Sequence, residues 1–92
     1  MHDLDYVFQL LPELERKSNR EIAANYVADT TWLFHERRII HAQLQAHTED
    51  SQCRTSKGLN CHTCNYYLDV IRALFVYKME LGAHLDRAQH ET

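Results

Sequence analysis

Apolar residues recur along this chain at three- and four-residue intervals, with polar residues filling the spaces between them. That period belongs to helices that bury one stripe, and three segments carry it. From about residue 3 to 16, Leu4, Val7, Phe8, Leu11 and Leu14 predict a short N-terminal helix, with Pro12 inside it as the source of a kink or break. A second helix, about 19–47, opens at "SNRE" (18–21). This is a capping box, in which the Ser18 hydroxyl accepts from the Glu21 amide and the Glu21 carboxylate reaches back to Ser18. The third, about 63–88, carries Tyr67, Ile71, Leu74, Lys78, Leu81 and Leu85 as one stripe with Leu68, Phe75 and Met79 beside it. Tyr66, Val70, Ala73 and Tyr77 lie on another side. A helix apolar on two sides needs more than one neighbour, which predicts a homodimer or a partner protein over the surplus. The expected fold is all-α and a single domain over 1–92. It is an antiparallel hairpin of two long helices plus a shorter N-terminal helix, completed by dimerisation. Residues 48–62 make a Cys-containing connection that is long for a compact domain.

Around Asp29 the pattern supports two readings. "ADTT" (28–31) places an aspartate where an N-cap would sit, followed by two threonines that are poor in helix interiors. A break there gives two helices. Against it, Tyr26, Thr30, Leu33, Arg37, Ile40 and Leu44 keep a 4-3-4-3-4 spacing straight through Asp29. No glycine marks a turn. The rhythm favours one continuous helix.

The broken reading carries a family likeness. "SNREIA" (18–23), followed by Leu33, Ile40 and Leu44, resembles the helix-turn-helix of LuxR-type response regulators over about residues 18–44. The resemblance implies that Ile22, Ala23, Leu33 and Ile40 are core and that Phe34, His35, Arg37 and Arg38 face DNA. The departures are that Trp32-Leu33 replaces the family's usual Thr-Val pair and Phe34 its basic groove-facing residue. The glycine usually found before "SN" is missing. A shorter match, "LERK" (14–17) with Ala23 and Ala24, is similar to PerC-like regulators.

Composition narrows the picture. Two glycines and one proline in 92 residues cannot supply the turns a sheet protein needs about every 8 to 12 residues. Hydrophobic residues make up 45% of the chain and charged ones 25%, enough for a core and too apolar for disorder. A net charge of −3 gives no overall attraction to nucleic acid or anionic membrane. The start "MHDLDYVFQLLPELERK" does not read as a signal peptide, and no apolar run is long enough to span a bilayer. A cytoplasmic protein with reduced cysteines is expected.

Cys53, Cys61 and Cys64 are spaced C-x7-C-x2-C in and just after the long connection. CxxC is the natural bidentate half of a tetrahedral zinc site. Cys53 supplies a third ligand and His47 a fourth, whereas His62, between the two cysteines, is badly placed for the same ion. Two other readings stay open: a redox CxxC at a helix start, and plain reduced thiols with Cys64 in the core. There is no Glu-x-x-His pair, phosphate-cradling glycine loop or nucleophile elbow. The expectation is therefore a regulator, inhibitor or adaptor rather than an enzyme. It would act by protein binding, with Trp32, Phe34, Tyr66, Val70 and Tyr77 burying apolar area and Arg37, Arg38 and Asp69 fixing orientation. A DNA-binding transcriptional regulator is the alternative.

Overall fold

A computed structural model describes residues 4–49 and 61–90, which contain helices and turns and no strand. The chain starts with a 3₁₀ turn, Asp5–Gln9, and continues into α1, Leu10–Glu15. Pro12 is the third residue of α1. Its missing N–H costs nothing there, because first-turn amides have no intrahelical acceptor. The change of helix type falls ahead of Pro12, where its ring would crowd the carbonyl of residue 8. α1 closes with Arg16 N–H bonding Glu13 O and Lys17 N–H bonding Leu14 O.

Ser18 is the N-cap of α2, Asn19–Ala24. Its backbone is extended and its Oγ accepts from Glu21 N–H at 3.1 Å. α3 follows at once, Tyr26–Thr48, after one non-helical residue, Asn25, at φ −103° and ψ 7°. The interruption is thus at Asn25, where the Nδ2 donates to Glu21 O at 3.0 Å. Asp29 lies inside α3. The two threonines after it are tolerated because their hydroxyls bond back to the preceding turn. Thr30 Oγ1 donates to Tyr26 O at 2.9 Å and Thr31 Oγ1 to Val27 O at 2.8 Å. The stretch 19–47 is therefore two helical pieces, a short one and a long one, rather than one uninterrupted helix.

α4 is the longest element, His62–His90, about 43 Å at 1.5 Å per residue. It runs back along α3. The His47 ring meets Tyr67 at one end, and Lys78 shares a recess with Tyr26, Leu33 and Arg37 further along. The core joins Leu4, Val7, Leu14, Ile22, Leu33 and Ile40 to Val70, Leu74, Tyr77 and Leu81. The seam of α4 therefore sits between its two sequence stripes. The stripe through Tyr67, Ile71 and Lys78 looks toward α3, while Tyr66, Ala73 and Tyr77 look toward the N-terminal segment. Tyr66 donates to Asp5 at 2.8 Å and meets Phe8 edge-on.

This packing corrects two assignments. Val70 is 0% exposed and Tyr77 7%, so neither is available to a partner. The residues before Asn25 cover the second side of α4 from within the chain, which the helical period alone does not reveal.

Candidate metal centre

His47 stands in the last turn of α3, and Cys61 and Cys64 stand at the start of α4. Cys61 is the residue before the helix. Its carbonyl accepts from Asn65 N–H at 3.0 Å, and its Sγ accepts from Cys64 N–H at 3.3 Å. It thus acts as an N-cap with sulfur in place of the usual oxygen. An amide donating to that sulfur stabilises negative charge on it, and the thiolate is the form that binds metal.

His47 Nε2 lies 3.1 Å from Cys61 Sγ. The imidazole rests against Tyr67, ring centroids 6.2 Å apart at 37°, which holds its plane. The ligand atoms of His47, Cys61 and Cys64 all lie within 4.8 Å of one another. A tetrahedral zinc with Zn–S of about 2.3 Å and Zn–N of about 2.0–2.1 Å has N···S edges of about 3.5 Å and S···S edges of about 3.8 Å. The three groups are thus close enough to hold a metal ion, with side-chain adjustments of a few tenths of an ångström to about 1 Å. Cys64 is buried and the other two are half-buried, which shields the site on one side.

Three of the four residues with metal-ligand spacing are brought together. Cys53 lies outside the described residues. Cys61 and Cys64 are not joined in a disulfide.

The other expected site residues scatter. Trp32 and Tyr66 are partly covered by the N-terminal turn, Trp32 by Tyr6 edge-on at 6.3 Å and Tyr66 by Phe8 and Asp5. Tyr6 also donates to Glu36 across this seam. Burial, and after it the bond to Glu36, pushes the Tyr6 phenol up to about 12. Burial, then the charges of Asp29 and Glu13, raises Tyr77. Asp69 pairs with Arg72, one turn away at 3.5 Å and in the open, a contact worth little.

Phe34, Arg37 and Arg38 stand on the opposite side of α3. There they line two adjoining recesses with Tyr26, Thr30, Leu33, His41 and Lys78. The helical register sets Leu68, Phe75 and Met79 beside Lys78 on the same side of α4. Phe34 is 58% exposed, and Phe75 and Met79 are 61%. Sequence reasoning assigned no binding role to Phe75 or Met79. The signal that would have found them is their position, i−3 and i+1 from the one lysine in an apolar stripe.

Comparison with known proteins yields no matching family model, no matching curated protein and no matching solved structure. Among the described residues no helix is long and apolar enough to cross a membrane.

Proposed function

We propose that this chain is a small regulatory or adaptor protein that acts by binding another protein through the exposed side of α3 and α4. The observation that carries the reading is the unequal covering of that helix pair. The N-terminal segment fills one groove between the helices. Among the described residues nothing lies over the other, where Phe34, Phe75 and Met79 are more than half exposed. Large apolar side chains grouped on one helical face mark interaction surfaces more often than scattered ones do.

A structural zinc at His47, Cys61 and Cys64 completes the proposal. It would tie the end of α3 to the start of α4 and fix the angle between the helices that carry the face. Zinc suits two thiolates and an imidazole better than harder cations do. Such a site would need a reducing compartment such as the cytoplasm, where thiols stay available to the ion.

Two measurements test these statements. In affinity capture from the native cell, wild-type chain should retain a protein that Phe34→Asp with Phe75→Asp loses, while circular dichroism shows the variant still folded. A capture pattern unchanged by those substitutions refutes binding through this face. Purified chain should carry about one equivalent of zinc, and Cys61→Ser and Cys64→Ser should each remove it. Full metal content in both variants refutes the site.

A further inference from the structure

The chain is acidic overall, at −3, yet its exposed face is not. The two recesses along α3 are lined by Arg37, Arg38, His41 and Lys78, and no carboxylate lines either one. Several of the acids are engaged elsewhere. Glu36 is bonded to Tyr6, Asp5 to Tyr66 and Asp69 to Arg72. Asp29 and Glu13 sit close enough to Tyr77, under the N-terminal segment, to raise its pKa. The two recesses are thus cationic on a chain whose net charge is negative.

The cations also frame apolar surface rather than standing alone. Arg38 lies over the Phe34 ring at 5.9 Å. Lys78 and Arg37 share a recess with Phe34, and Phe75 and Met79 flank Lys78 along α4. An apolar floor with a basic rim fits one kind of occupant closely. From this we infer that the face binds an acidic amphipathic helix of a partner protein, its apolar stripe on Phe34, Phe75 and Met79 and its carboxylates against Arg37, Arg38 and Lys78. This deepens the binding reading above and rests on it.

A second copy of this chain docking through the same face would set cation against cation, and like charges across an interface disfavour association. Nucleic acid would satisfy the cations but leave the apolar floor without a partner, since backbone recognition relies on phosphate contacts. Helix-in-groove recognition uses both features. From Val27 to His41 the face runs about 21 Å, the length of about four helical turns, so a short helix suffices.

The test uses the full zinc-loaded chain and three labelled synthetic peptides of eighteen residues. One is an amphipathic helix with leucines at i, i+3, i+4 and i+7 and glutamates flanking them. The second has lysine for every glutamate, and the third scrambles the first. The acidic amphipathic peptide should bind, with the lysine peptide and the scramble each at least about tenfold weaker, as expected for charge-selected docking. Arg37→Glu with Lys78→Glu should reverse the preference, and Phe34→Asp with Phe75→Asp should abolish binding. Equal binding of the acidic and basic peptides overturns the acidic assignment. So does a dimer in sedimentation equilibrium that Phe75→Asp dissolves, or tighter binding to a DNA duplex with steep salt dependence. If no peptide binds while cellular capture still depends on Phe34 and Phe75, the acidic-helix inference fails and the binding reading stands. If capture is also unaffected, both fall.

Discussion

The two grooves that run between α3 and α4 are made by the same pair of helices and have opposite fates. On one side Leu4, Val7, Leu14 and Ile22 come from the N-terminal segment. They bury Val70, Leu74 and Tyr77, and phenols and carboxylates are bonded across the seam. On the other, Phe34 stands in the open among cations, and Phe75 and Met79 are exposed on the helix turns beside Lys78. The difference shows how little one short chain can enclose. With Cα extents of 20 × 19 Å across, only two or three helices of about 10 Å fit side by side. One seam becomes dry, and whatever apolar surface remains must stay wet or find another molecule.

The strongest way to break this comparison is to cut into each side. Ile22→Ala or Leu74→Ala, on the closed side, should cost about 2–5 kcal/mol, a large fraction of what so small a domain has. Phe34→Ala, on the open side, should leave the unfolding free energy from urea denaturation within about 0.5 kcal/mol of wild type. Equal losses would mean that the open side is closed in solution. Next in size, chelating the zinc proposed at the junction of α3 and α4 should lower stability by about 3 kcal/mol, taking the worth of a cross-link over a loop of similar length. A thermal melt unchanged by chelator would remove the clasp from the account.

Smaller effects sharpen the picture. Tyr66→Phe deletes the bond to Asp5 on the closed side and should cost about 1 kcal/mol. Gly82, inside α4, has nothing within 4 Å of where a Cβ would stand. Gly82→Ala should therefore stabilise the chain by up to about 1 kcal/mol, measured by denaturation. Smallest is a pH effect. Because folding raises the Tyr6 phenol to about 12 from 10.0, its stabilisation is complete below pH 10 and is lost as pH climbs from there through 12. Ultraviolet titration should show a late tyrosinate phase, shared with Tyr77, that Tyr6→Phe reduces.

The all-helical character was legible because it depends on local quantities: the period of apolar residues and the scarcity of glycine and proline. The Ser18 cap was legible for the same reason. The metal trio could be read because ligand chemistry is specific to residue type, so His47, Cys61 and Cys64 point to one another whatever the fold. The interruption at Asn25 could not be read. "ADTT" is the stronger printed signal, and only the hydroxyl bonds of Thr30 and Thr31 to the turn before them show why helix continues there. Val70 and Tyr77 were assigned outward because periodicity gives the faces of a helix but not which neighbour each face meets. That same blindness hid Phe75 and Met79.

The junction of His47 with Cys61 and Cys64 has a consequence for how the folded population is set. A zinc ion held there, as proposed, would recognise the native chain and have far less hold on the unfolded one, so mass action would link conformation to supply. Each tenfold rise in free zinc above the dissociation constant would deepen the native well by about 1.4 kcal/mol. The stability of the folded chain, and with it its resistance to unfolding, would then rise and fall with the supply of the ion.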